Sequence, residues 1–181
     1  MYVDPSGMSL KAVSDNDLIS AAIFLIKITQ IISSIFNYYK IHPIVDISDK
    51  LDEEMKSNAD ELSSYRDEYG YYEACIFFAH KVQNYGEWDL KRNQDWNLNE
   101  NTTYIYHGII LRYDDIGNIH YGYVGRVLFS EQVLLTAAGV YQAKDDYTKY
   151  GEFKWPITSR FDDPRDQWAI SYGYHLWDSG I

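Results

Sequence analysis

Three short clusters hold the residue types that acid/base and substrate-holding chemistry needs. In Asn84-Tyr85-Gly86-Glu87-Trp88-Asp89-Leu90-Lys91 a carboxylate, Asp89, and an ammonium, Lys91, stand two residues apart beside the Trp88 indole. The structural alternative is a surface turn with Trp88 plugged into the core. Gly117-Asn118-Ile119-His120-Tyr121-Gly122-Tyr123-Val124-Gly125 sets His120 among Asn118, Tyr121 and glycines. An imidazole is the side chain best matched to proton transfer near neutral pH, although a tight turn with a surface histidine gives the same local pattern. In Asp162-Asp163-Pro164-Arg165-Asp166-Gln167 the carboxylates Asp163 and Asp166 open a helix. Capping and the helix dipole explain them equally well, while glycoside hydrolysis needs two carboxylates across one cleft.

Other chemistries lack their signatures. The sequence holds no His-x-x-x-His, Cys-x-x-Cys or EF-hand loop, so neither a metal nor another cofactor is expected. It also lacks a Gly-x-Ser-x-Gly elbow, a phosphate loop and a dinucleotide fingerprint. The one cysteine, Cys75, excludes an internal disulfide and lies in an apolar segment, where it reads as core.

Positioning these clusters falls to a mainly α chain. Leu18 to Phe36 is almost wholly apolar and close to the ~20 residues that cross a bilayer. Lys27 and Gln30 sit in its middle, so the sequence favours a buried or amphipathic helix over a permanent membrane span. Ser14 with Asp17 offers a capping box at its start, and His42-Pro43 ends it. Ile47, Leu51, Met55, Ala59, Leu62 and Tyr65 recur at spacings of three and four, which predicts a one-sided surface helix.

Tyr72 to Val82 is dense enough in apolar residues for a central helix. Asn93 to Thr103 reads as loop and Tyr104 to Tyr113 as a β run, after which Asp115-Ile116-Gly117-Asn118 has turn chemistry. His120 to Val127 either pairs back as a hairpin or opens a helix. Glu131 to Gln142 is helical, Asp145 to Ser159 is loop, and Asp163 to Trp177 is a final helix with Asp163 as N-cap and Pro164 at N1. The expected architecture is mainly α (α+β): a compact helical domain with a small β-hairpin element and an N-terminal apolar helix.

The length of 181 residues suits one domain with an arm. Against 16 Lys and Arg stand 27 Asp and Glu, a formal charge of −11 that repels polyphosphate unless basic residues gather locally. DNA is not expected as a partner. Eighteen Tyr and five Trp supply flat faces with polar edges, suited to sugar stacking or to a Tyr-rich core.

In order, the clusters resemble the bacterial polymorphic toxin type 44 family. The matching pieces are Phe77-Phe78 to Val82 with Gly86, Trp88, Asp89 and Lys91; Gly117-Asn118 with His120-Tyr121-Gly122 and Gly125; Ala137-Ala138-Gly139 with Gln142; and Asp162 to Gln167 with Ile170 and Gly173-Tyr174. Separately, Tyr2 to Met8 resembles the end of an Rhs repeat-associated core, with Met8 where leucine is usual.

The resemblance divides the chain into a junction arm (1–10), the apolar helix as a translocation or packing segment (11–44) and a toxin domain (45–181). It implies a secreted effector released from an Rhs shell, delivered into the periplasm or cytosol of a rival bacterium and neutralised by a cognate immunity protein. Its implied site has Asp89, His120, Asp163 and Asp166 as catalytic groups and Trp88, Lys91, Asn118, Tyr121 and Gln167 on the substrate. RNases have been predicted in the family, with His120, Lys91 and Asp166 in acid/base and phosphate-contact roles. The net charge and the aromatic supply favour cleavage of peptidoglycan glycan strands, with RNA and membrane disruption as alternatives.

Overall fold

A computed structural model describes residues 14–152 and 163–180; the junction 1–10 and the expected loop beyond residue 152 lie outside them. The chain divides between His42 and Pro43 into two compact units. The first holds α1 (Asp15–Ile41), which starts with the expected capping box, Ser14 accepting from the Asp17 N–H and Asp17 from Ser14. No residue of α1 is buried, so the expectation of a buried helix is corrected: its apolar side chains face outward.

The second unit holds β1 (Ile44–Asp46), α2 (Ser48–Tyr69), α3 (Tyr71–Val82), β2 (Thr103–Tyr106), β3 (Ile109–Leu111), α4 (Tyr113–Gly125), α5 (Glu131–Tyr150) and α6 (Pro164–Ser179). The fold is therefore mainly helical with one small sheet of order β1-β2-β3. The apolar spacing of α2 does what it predicts, burying Leu51, Met55, Ala59 and Leu62. In α3 only Ala74 and Phe78 are buried, which corrects the expectation of a central helix. Tyr72 and Ile76 point to solvent, and the half-buried Cys75 borders a cleft with Ala79 and Val82.

The β run breaks into a hairpin at His107-Gly108, both at positive φ (45° and 80°), the conformation a tight two-residue turn requires. β1 then joins β2 in parallel, Val45 opposite Tyr104. Beyond β3 the residues read as a turn are helical. α4 begins at Tyr113, where the Asp115 carboxylate takes the Arg112 N–H at 2.7 Å. α5 also runs further than expected, through Asp145 to Tyr150, and stops at Gly151 in the left-handed region (φ 74°).

Gly122 of α4 and Gly173 of α6 explain why the glycine-bearing segment after β3 is a helix. A Cβ on Gly122 would lie 2.0 Å from the Ile170 carbonyl oxygen, and one on Gly173 would lie 1.9 Å from that of Ile119. α4 and α6 therefore cross backbone to backbone, an approach only glycine permits. Arg165 of α6 ties the crossing down with two bonds to the buried Asp115, Nε at 2.7 Å and Nη2 at 2.5 Å. The core around them includes Leu51, Met55, Leu62, Leu90, Ile116, Ile119 and Ile170.

Candidate active site

A cleft of about 620 Å³ opens between α3, the turn after it, α4, α5 and the start of α6. The turn is shaped by Gly86, where a Cβ would meet the Lys81 carbonyl oxygen at 2.3 Å, and by the Trp88 N–H, which donates to that same carbonyl at 2.9 Å. Asp89 and Lys91 thereby face the cleft, while Trp88 beside them is plugged into the core (3% exposed), and Asn118 and Tyr121 from α4 and Asp166 from α6 join them. Residues almost 80 positions apart in the chain thus share one wall.

Each polar group there has a definite setting. Asp89 is nearly buried and accepts from the Tyr85 N–H at 2.9 Å and from Arg92 Nη1 at 2.8 Å. Asp166 accepts from Asn118 Nδ2 at 2.7 Å. Burial raises the Asp166 carboxyl above the usual carboxylate range; Lys91 pulls it down, Asp163 and Asp114 add to the rise, and Arg112 again pulls down. The half-buried Lys91 passes its stem over Gly117, whose Cβ position lies 3.4 Å from Lys91 Cγ. Phe78, Phe129 and Tyr141 extend the wall away from this polar end, and the Phe78 and Tyr121 rings stack at 5.5 Å.

Three of the sequence candidates lie elsewhere. His120 is wholly buried behind Trp88, ring centroids 6.1 Å apart. Its Nε2 pairs with Asn58 Nδ2 at 2.9 Å, and Asn58 in turn donates to Glu54 at 2.9 Å. Burial pushes its pKa down to about 3, so the ring is neutral at physiological pH. Neither the surface histidine nor the cleft-facing acid/base group read from the sequence describes it. Asp163 caps α6 by accepting from the Arg165 N–H at 2.8 Å, and neither it nor Gln167 lines the cleft. Among the described residues no group of His, Cys, Asp and Glu is placed to hold a metal ion.

Arg92, Tyr141 and Gln142 also line the cleft. The sequence signal for Arg92 was its i+3 spacing from Asp89 and that for Gln142 its place among the residues of the family resemblance; Tyr141 carries no local signature of a site.

A helical domain thus gathers two carboxylates, a lysine and an aromatic wall in one cleft. The particular family is shown by the sequence: the chain belongs to the bacterial toxin 44 family, whose model matches residues 77–179. That span runs from the cleft-bordering half of α3 to the end of α6. No curated protein and no solved structure matches the chain.

Proposed function

We propose that this toxin domain is a hydrolase that cleaves the glycan strands of peptidoglycan. The observation that carries the reading is Asp166: a carboxyl raised by burial, held by Asn118 and facing the same aromatic-walled cleft as Asp89. A carboxyl whose burial favours its protonated form is suited to the general-acid role. Asp166 gives its proton to the glycosidic oxygen as the C–O bond breaks. Asp89 takes a proton from the water whose oxygen bonds to the anomeric carbon. Tyr121 and Tyr141 present faces for sugar rings, and Lys91 and Asn118 hold polar substituents.

A ribonuclease is the second reading, favoured by Lys91 and Arg92 on the cleft wall. Against it stand the net charge of −11 and the burial of His120, the histidine such a mechanism would use. Membership of a toxin family supports a cognate immunity protein, and the acidic field of the chain suits a basic contact surface on that partner. The Tyr2–Met8 segment supports release from an Rhs shell into a rival bacterium.

Expression in bacteria with and without a periplasmic signal tests the reading. Growth arrest from the periplasm alone is expected. Arrest from the cytosol alone, with RNA degraded, would replace it by the ribonuclease.

A further inference from the structure

α1 has no counterpart in the site just described, and its surface is unlike that of any other helix here. Its 27 residues span about 40 Å at 1.5 Å per residue. None is buried, and the helix is long and apolar enough to cross a membrane. Core helices of similar composition are covered by their own protein; this one exposes Phe24 at 63% and Phe36 at 71%.

The apolar residues are not evenly spread. At 100° per residue Phe24, Leu25, Ile28, Ile31, Ile32 and Ile35 fall within one arc of about 120°, whereas Lys27, Gln30, Ser34 and Asn37, spaced by three and four, form a stripe on the other side. The hydroxyls of Thr29 and Ser34 are already satisfied by the Leu25 and Ile31 carbonyls, at 2.9 and 2.8 Å, so their contact with lipid costs little. Tyr38, Tyr39 and Lys40 close the C-terminal end, the residue types that settle at a membrane–water boundary.

We infer that α1 binds a phospholipid bilayer, lying in the plane of the interface with the apolar arc in the acyl region and the Lys27 stripe among the headgroups. A groove on a protein partner would cover the arc but leave Ile19, Ile23 and Ile26, which lie on the side of the stripe, in water; at the interface they sit in the headgroup layer, which shields them in part. A spanning helix would place Lys27 at mid-bilayer, at a cost that the in-plane position avoids. Asp15, Asp17, Lys27 and Lys40 cancel, so apolar burial drives the binding and anionic lipid is not required. Nothing in this inference depends on which polymer the cleft cleaves.

The test is flotation of the full chain with vesicles of phosphatidylcholine alone. The chain floats with the vesicles, and the double change Ile28→Asp with Ile32→Asp lowers the floated fraction about tenfold or more. Ser34→Asp with Asn37→Asp, equal in added charge but on the stripe, leaves flotation within about twofold, as does Lys27→Leu. Failure of the unaltered chain to float, equal loss from both double changes, or flotation insensitive to the Ile28 and Ile32 changes overturns the inference. A gain of tenfold or more with Lys27→Leu would replace the in-plane helix by a spanning one.

Discussion

At the scale of single side chains, the half-buried Asp166 and the buried His120 titrate in opposite senses. The folded-state pKa of Asp166 is raised above the ordinary aspartate value of 3.8, so the folded chain holds that proton more tightly than the unfolded chain does. Its contribution to stability is therefore complete below about pH 3.8 and is lost as pH rises through the higher folded value. Asp166→Asn keeps the acceptor for Asn118 and removes the ionisation. The variant should match or exceed the parent's melting temperature at pH 7 while losing about 100- to 10,000-fold in hydrolysis, the usual worth of a general acid. A large fall in melting temperature would make Asp166 a structural residue.

His120 behaves inversely. Its folded pKa is near 3 against an ordinary 6.5, so stability present above pH 6.5 is lost as pH falls toward 3. Replacing it with glutamine should flatten that acid limb in denaturant titrations across pH 7 to 3, and an unchanged limb would show that other groups set it. Of the candidate residues, Trp88, Asp89, Lys91, Asn118, Tyr121 and Asp166 meet at one cleft. What the sequence left hidden was depth: a histidine flanked by Asn, Tyr and Gly has the same local pattern whether it faces water or, as here, the Asn58 amide.

At the scale of elements, the approach of α4 to α6 aligns Asn118 with Asp166. Gly122→Ala sets a methyl against the Ile170 carbonyl and should destabilise the domain by about 1–3 kcal/mol or more while parting that pair. Gly117→Ala is the matched control, since its methyl only reaches ordinary contact with the Lys91 stem and gains helix propensity, up to about 1 kcal/mol. Chemical denaturation of the two variants checks both; similar losses would mean that the crossing is looser than described. The same glycines show why α4 was illegible. Asp-Ile-Gly-Asn has the composition of a turn, and the reason for the glycine that follows at 122 lies in another helix, at Ile170. By contrast, the Ser14/Asp17 box, the spacing of α2 and the Asp163-Pro164 start of α6 are local signals and were readable as such. β1 was not, because a three-residue strand is specified only by its pairing with Thr103 to Ile105.

At the scale of the whole molecule, a toxin domain presents one acid-bearing cleft on a helical body with a net charge of −11. That charge disfavours a polyanionic substrate and leaves neutral or cationic polymers as natural ones. Peptidoglycan glycan strands, with sugar faces for Tyr121 and Tyr141, fit both the charge and the wall. The most direct measurement is digestion of purified peptidoglycan sacculi by the full chain, with the soluble products weighed by mass spectrometry and new reducing ends counted. Glycan fragments with one new reducing end per cut, absent with Asp166→Asn and falling as pH rises through the Asp166 titration, are the predicted result. Intact sacculi, together with RNA cleaved by the same preparation, would contradict the account.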